Sequence, residues 1–88
     1  MSFDVLWSPA AEAQLARFWL AAEDRSALTE AANKIDRLLM EQPEEVGESR
    51  TGRNRILFSL PLVAFYEVDS ATQRVIVRRL RHLQGSNG

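Results

Sequence analysis

The 88-residue chain contains no cysteine and only one histidine. The lack of cysteine excludes disulfide bonds, thiolate metal ligands and cysteine nucleophiles, and with one histidine a structural zinc site is not expected. There is no basic region followed by an apolar run at the start, and no apolar run approaches the roughly 18 residues that span a bilayer. We therefore expect one domain that is located in the cytoplasm and does not enter a membrane.

Carboxylates are scarce after Glu48, where only Glu67 and Asp69 remain. Residues 50–88 carry seven basic side chains and a net charge of +5, whereas residues 1–49 carry four basic and ten acidic ones and a net charge of −6. Because two-metal nucleases need clustered carboxylates, that class is not expected, and neither a metal nor another cofactor is predicted. The charge split indicates a surface for a polyanion in the second half, and the alternative is two ordinarily solvated faces.

The first half predicts one strand and two helices. Residues 3–7 are aromatic and β-branched, which favours a short strand. Ser8 and Pro9 predict the start of the first helix, and Asp24 predicts the cap of the second, which Pro43 ends. The connection is so short that we expect an antiparallel hairpin whose apolar face needs a sheet to cover it. The side chains expected on that face are Ala11, Leu15, Phe18, Trp19, Ala22, Leu28, Ala31, Ala32, Ile35, Leu38 and Leu39.

Three strands are predicted between residues 53 and 83, joined by turns at Leu60–Pro61 and at residues 69–72. Their short connections favour an antiparallel meander. The predicted fold class is therefore α+β: a strand, a two-helix antiparallel hairpin and a three-stranded antiparallel meander that form one sheet. We expect residues 3–83 to be ordered and residues 84–88 to form a frayed tail.

One face of the predicted sheet packs on the helices, and the other is called the open face. Alternation along the first meander strand separates Ile56 and Phe58, which we expect in the core, from Arg53 and Arg55, which we expect on the open face. Guanidinium groups bind phosphate oxygens bidentately, so this face suits a phosphate backbone.

Alternation alone does not decide which side chains of the last strand lie on the open face. Arg78 and His82 alternate with Arg79 and Arg81, and a β-bulge would exchange the two sets. Either set could join Arg55, and each choice brings several cationic or titratable groups to one surface.

The order of elements and several short motifs resemble the RelE/ParE toxins of bacterial type II toxin–antitoxin modules and plasmid stabilisation systems. The resemblance spans about residues 3–83 and implies a single RelE/ParE-like toxin domain over residues 1–88. It also implies a cognate antitoxin that wraps the toxin and holds it inactive. The motifs are Trp7-Ser8-Pro9-Ala10-Ala11, Ile35-Asp36-Arg37-Leu38-Leu39, Arg53-x-Arg55-Ile56-Leu57-Phe58, Val63-x-Phe65-Tyr66-Glu67-Val68-Asp69 and the basic last strand.

The resemblance implies one of two activities. RelE-like members inhibit translation as mRNA interferases that cut mRNA in the ribosomal A site without a metal. A base takes the proton of a ribose 2′-OH, cations stabilise the charge that builds up on the phosphate, and an acid protonates the leaving 5′-oxygen. ParE-like members inhibit DNA gyrase and are not nucleases. We favour mRNA cleavage, and the alternatives are a gyrase inhibitor or a weakly toxic or inactive member that binds an antitoxin.

Site residues follow from the resemblance by position. It implies catalytic roles for Arg55, for Arg79 or Arg81, and for His82. We also expect RNA binding by Arg50, Arg53 and Arg78. Histidine side chains can exchange protons near neutral pH, which suits acid–base work. Two positions depart from the family pattern: Val63 stands where many members have an arginine, and Leu83 and Gln84 stand where many have an aromatic residue.

Overall fold

A computed structural model describes residues 2–83 of the chain. The α+β class and the order of strand, helical hairpin and meander are confirmed, with one short additional strand after the second helix. The tail expected at residues 84–88 lies outside the described residues. The elements are β1 (Asp4–Trp7), α1 (Pro9–Ala21), α2 (Arg25–Glu41), β2 (Glu48–Ser49), β3 (Asn54–Ser59), β4 (Leu62–Asp69) and β5 (Arg74–His82).

Both helices begin where the sequence predicts. The Ser8 hydroxyl accepts a hydrogen bond from Ala11 N at 3.0 Å, and the Asp24 carboxylate accepts one from Ala27 N at 3.0 Å. These bonds satisfy first-turn N–H groups that have no partner within a helix. Ser8 Oγ also donates a hydrogen bond to Arg78 O at 2.8 Å, so the start of α1 is attached to β5.

The five strands form one mixed sheet in the order β1-β5-β4-β3-β2. The meander is confirmed, because β3 pairs antiparallel with β4, and β4 with β5. β1 joins the free edge of β5 in parallel, with Asp4 opposite Arg74 and Trp7 opposite Val77. The two-residue β2 closes the other edge by pairing antiparallel with β3. The sequence pattern predicts neither edge pairing.

The helices cover one face of the sheet, and the core lies between them. Full burial of an aliphatic or aromatic side chain contributes about 1.5–3 kcal/mol, so this layer is the main source of stability. Its buried members are Ala11, Leu28, Ala31, Ile35, Leu39, Leu57, Leu62, Ala64, Tyr66, Val68, Val75, Val77 and Leu80.

Trp19 is an exception to the predicted apolar stripe of α1. It was expected in the core, but its side chain is 41% exposed. The guanidinium of Arg25 lies over its ring, 4.4 Å from the ring centroid, and Arg25 Nε donates a hydrogen bond to Trp19 O at 2.9 Å. The indole thus packs under a cation at the helix connection and not against the sheet.

The predicted facing of β3 is wrong. Leu57 and Ser59 are buried beneath the helices, and Ser59 Oγ donates a hydrogen bond to Ala31 O at 3.1 Å. Ile56 and Phe58, which were expected in the core, lie on the open face, where Phe58 is 56% exposed. Because β3 carries large apolar side chains on both faces, its alternation alone cannot identify the inner one.

A β-bulge sets the facing of β5. Tyr66 of β4 lies opposite Val77, but the preceding residue, Phe65, lies opposite Arg79. Arg78 is therefore the extra residue, and the bulge exchanges the two sets of side chains at this point.

Beyond the bulge, Leu80 and His82 face the helices, whereas Arg79 and Arg81 lie on the open face. Leu80 is buried, and the His82 ring centroid is 5.3 Å from that of Phe18 in α1. Arg79 and Arg81 are both exposed. The structure thereby selects the Arg79 and Arg81 set for the open face.

Candidate functional site

A pocket of about 390 Å³ lies on the meander beside the β5 bulge. Arg50, Arg55, Arg78 and Arg79 line it, and Glu67 is the one carboxylate among its lining residues. We call it the arginine pocket. Its volume is in the range of small-ligand sites, roughly 300–1,000 Å³. An excess of positive charge around one concavity favours an anion.

An aromatic ring with a cation over it lines the arginine pocket. Phe65 projects from β4 on the open face and is half-buried. The guanidinium carbon of Arg79 lies over this ring, 4.1 Å from its centroid. A guanidinium in this position keeps its N–H donors in its own plane, where they can still reach an anion.

Glu67 and Arg78 form the third feature of the arginine pocket. Arg78 Nε lies 3.0 Å from Glu67 Oε2, and the two side chains are 57% and 33% exposed. Pairs this exposed contribute at most about 1 kcal/mol to stability. The pair orients Arg78 across the open face towards β4.

Arg55 faces the helix side of the sheet, so its predicted place on the open face is wrong. Its Nε donates a hydrogen bond to Tyr66 Oη at 3.3 Å. Its Nη2 donates to Val46 O at 3.2 Å and to Gly47 O at 3.4 Å. Arg55 therefore fastens the loop between α2 and β2 to the sheet, besides lining the arginine pocket.

Tyr66 completes this attachment from β4. Its hydroxyl is 2.9 Å from Pro43 O and 2.8 Å from Val46 O, both of which can accept its proton. Burial raises the pKa of Tyr66, while the hydrogen bond and positive charge of Arg55 lower it by less. The neutral phenol is thus favoured, as a donor to backbone carbonyls requires.

Gly47 lets the loop approach this closely. Its φ is +73°, and a Cβ there would lie 2.5 Å from Ile56 O and 2.9 Å from Tyr66 Oη. Any side chain would push the loop off β3, because the first of these contacts is with backbone.

His82 lies apart from the arginine pocket. Arg55 is in register with Tyr66, whereas His82 is in register with Leu62, four residues further along β4. At about 3.3 Å per residue the two positions are separated by roughly 13 Å along the strand. His82 instead packs on Phe18 of α1.

The other predicted site arginines differ in whether they form an ion pair with a carboxylate. Arg50 pairs with Glu48 at 3.2 Å, and Arg53 pairs with Asp69 at 3.5 Å, on exposed parts of the surface. Of these two arginines, only Arg50 lines the arginine pocket. Within residues 2–83, neither Arg79 nor Arg81 forms an ion pair with a carboxylate.

Val63 occupies the open face opposite Arg81, where the family pattern has an arginine. It is only 4% exposed. The middle strand therefore contributes an apolar side chain at this position, and the arginines of the open face come from β5.

Phe65 is not among the site residues predicted from the sequence. Val63, the half-buried Phe65 and Glu67 alternate along β4 and so share one face. That face is therefore partly apolar and partly charged. The contact of Phe65 with Arg79 depends on the bulge, whose position the sequence does not indicate.

Among residues 2–83 there is no group of three or more histidine, aspartate or glutamate side chains that could hold a metal ion. Over the same residues, neither helix has the length and apolar character needed to cross a bilayer.

No protein-family model and no curated protein matches this chain. Solved structures do match it. A chain of the toxin–antitoxin complex RelBE2 from Mycobacterium tuberculosis superposes with a TM-score of 0.76 and 16% identity, over 93% of this chain and 92% of that one. A chain of the chromosomal ParDE toxin–antitoxin system from P. aeruginosa gives 0.66 and 15%, over 93% and 97%.

These likenesses define the class of the fold: this chain, with two helices on a five-stranded mixed sheet, superposes on both neighbours over nearly the whole of each chain. The chain has the RelE/ParE-like toxin fold, as the resemblance in sequence predicts.

Proposed function

We propose that the chain is the toxin component of a type II toxin–antitoxin module and that it inhibits translation by cutting mRNA on the ribosome. The arginine pocket is the observation that carries this proposal, because Arg50, Arg78 and Arg79 line one concavity of the sheet together with a single carboxylate, Glu67. The likeness of the fold to chains of the RelBE2 and ParDE complexes supports the toxin role. A cytoplasmic location follows from a ribosomal target.

In the proposed reaction a base takes the proton of a ribose 2′-OH, and the oxygen attacks the adjacent phosphorus. The bond to the 5′-oxygen breaks, and that oxygen takes up a proton. Arg79 and Arg81 would stabilise the charge on the phosphate oxygens, and Arg50, Arg53 and Arg78 would hold the flanking backbone. Arg55 would join them only by releasing the loop carbonyls to which its guanidinium donates. His82 is proposed as the acid or base of this same step, a role that requires its side chain to leave Phe18 and reach the cleaved phosphate.

The antitoxin is proposed to cover the open face. Leu6 and Phe58 are 50% and 56% exposed there, beside the cations Arg79 and Arg81. An amphipathic, acidic segment that folds on binding would match both the apolar and the charged parts of this surface.

Induced expression in bacteria tests the proposal. Primer extension on a reporter mRNA should show new 5′ ends, and purified protein should cut the same mRNA only when ribosomes are present. Arg79→Ala should reduce cleavage at least tenfold, as expected for loss of one charge-stabilising group. Arg37→Ala, an exposed substitution on α2, is the matched control. Intact mRNA at saturating protein and ribosomes would contradict the proposal.

A gyrase inhibitor is the second candidate function. Val63 removes a cation from the open face, and His82 packs on Phe18 at a distance from the arginine pocket, and both observations favour a protein that binds without cutting. Plasmid topology from the same cells decides between the two. Lost supercoiling with intact mRNA identifies a gyrase inhibitor, and harmless overexpression identifies a weakly toxic member that binds an antitoxin.

A further inference from the structure

The contact between Phe65 and Arg79 gives the arginine pocket a flat, partly apolar floor. Phe65 and its cross-strand neighbour Ile56 are both half-buried on the open face. The Arg79 guanidinium lies 4.1 Å from the Phe65 ring centroid, and Arg79 is exposed to solvent. Phosphate binding alone does not require two apolar side chains among the lining residues of a pocket.

The charges of the pocket lie around this floor. Arg50 lines it from the start of the loop between β2 and β3, and Arg78 lines it from the bulge. A nucleotide combines a flat aromatic base with a phosphate about one sugar away. The pocket has the corresponding parts: a planar guanidinium over an aromatic ring, and further guanidinium-bearing side chains among its lining residues.

We propose that the arginine pocket is a nucleobase-stacking site for single-stranded RNA, in which one base lies on the outer face of the Arg79 guanidinium while Phe65 supports its inner face. This rests on the proposed function, since it names the part of the RNA that the pocket recognises. Planar guanidinium groups stack on aromatic rings, and an ammonium group cannot replace that surface. Phe65 is therefore a positioning residue that holds Arg79 flat.

Binding of two short RNAs tests the site. One is a 5′-labelled hexanucleotide, and the other has the same backbone without its bases, so both carry equal phosphate charge. Fluorescence anisotropy should show that the wild type binds the base-containing RNA roughly tenfold or more tightly, which is the usual effect of stacking one base. Equal affinity for the two RNAs, or no binding of either, would overturn the stacking site.

Three substitutions refine the test. Arg79→Lys keeps the charge but removes the planar surface, so it should abolish the preference for bases while retaining binding to the abasic RNA. Phe65→Leu should have the same effect, and Phe65→Tyr should restore the preference. Arg74→Lys is the matched control, because Arg74 is an exposed arginine of the same strand outside the pocket. Loss of preference in the control, or its retention in Arg79→Lys, would contradict the proposal.

The outcome is separable from that of the proposed function. Base-dependent binding without cleavage of reporter mRNA would uphold the stacking site and contradict the nuclease. Cleavage by a protein that binds the abasic RNA equally well would contradict only the stacking site. Melting curves verify the fold of Phe65→Leu. If Phe65→Leu does not fold, Arg79→Lys still tests the site, because it alters only an exposed side chain.

Discussion

Arg55 Nε donates a hydrogen bond to the hydroxyl of Tyr66, 3.3 Å away on the neighbouring strand. The same guanidinium reaches the carbonyls of Val46 and Gly47 in the loop that follows α2. Arg55 was expected to serve catalysis from the open face, but its guanidinium holds a loop on the helix side of the sheet. Loss of activity in an Arg55 variant would combine a chemical and a structural effect, and stability measurements separate them.

Arg55→Lys is expected to lower the free energy of unfolding by about 1–2 kcal/mol, because an ammonium group cannot donate to three acceptors in one plane. Urea denaturation measures the change. Arg53→Lys is the control, since Arg53 is 70% exposed in its ion pair and should change stability by less than about 0.5 kcal/mol. Equal effects of the two substitutions would show that Arg55 does not fasten the loop.

Tyr66→Phe removes the hydroxyl and keeps the ring. It leaves the carbonyls of Pro43 and Val46 without this donor, and a loss of about 1–2 kcal/mol is expected. Limited proteolysis should also cut residues 43–52 faster than in the wild type. Ser49→Ala, at an exposed position after the same loop, is the control. Unchanged stability and proteolysis would mean that water satisfies both carbonyls equally well.

The stability of the wild type should depend on alkaline pH through Tyr66. Burial raises the pKa of Tyr66 above the ordinary value of 10.0. The neutral form is favoured in the folded state, so its contribution is fully present below about pH 10 and is lost as pH rises through the folded pKa. The difference in unfolding free energy between wild type and Tyr66→Phe should therefore shrink above pH 10. Parallel pH curves for the two proteins would disprove this linkage.

His82 and Phe18 should be energetically coupled. Their ring centroids are 5.3 Å apart with an interplanar angle of 39°. A double-mutant cycle with alanine at each position is expected to give a coupling of about 0.5–1.5 kcal/mol, as measured for aromatic pairs. A coupling near zero would remove the packing role of His82 and strengthen the case for a catalytic one.

Local rules predicted the helical half of the fold well. Ser8 and Asp24 are caps in the structure because a side-chain oxygen before a helix satisfies the same free N–H groups in almost any context. The turn at Leu60–Pro61 was predicted for a similar reason, since proline cannot continue a central strand. Such signals act over a few residues and do not need tertiary contacts.

The facing of the strands was not predictable in the same way. β3 has Ile56 and Phe58 on one face and Leu57 on the other, so burial depends on the partner strand and on the bond from Ser59 to α2. The bulge at Arg78 changes which arginines share a surface, and no turn residue marks it. The composition of the candidate site is therefore a tertiary property, although its charge could be predicted from the sequence.

The hydrogen bond from Ser8 to Arg78 O joins residues 70 positions apart, next to the parallel pairing of β1 with β5. Contacts of such sequence separation form late and slow folding, because a long loop must close first. During synthesis, β1 has no strand to pair with until β5 has been made. An unfinished chain that stops before Arg74 therefore has neither the parallel edge nor the bulge, and the arginine pocket is assembled only when the last strand arrives.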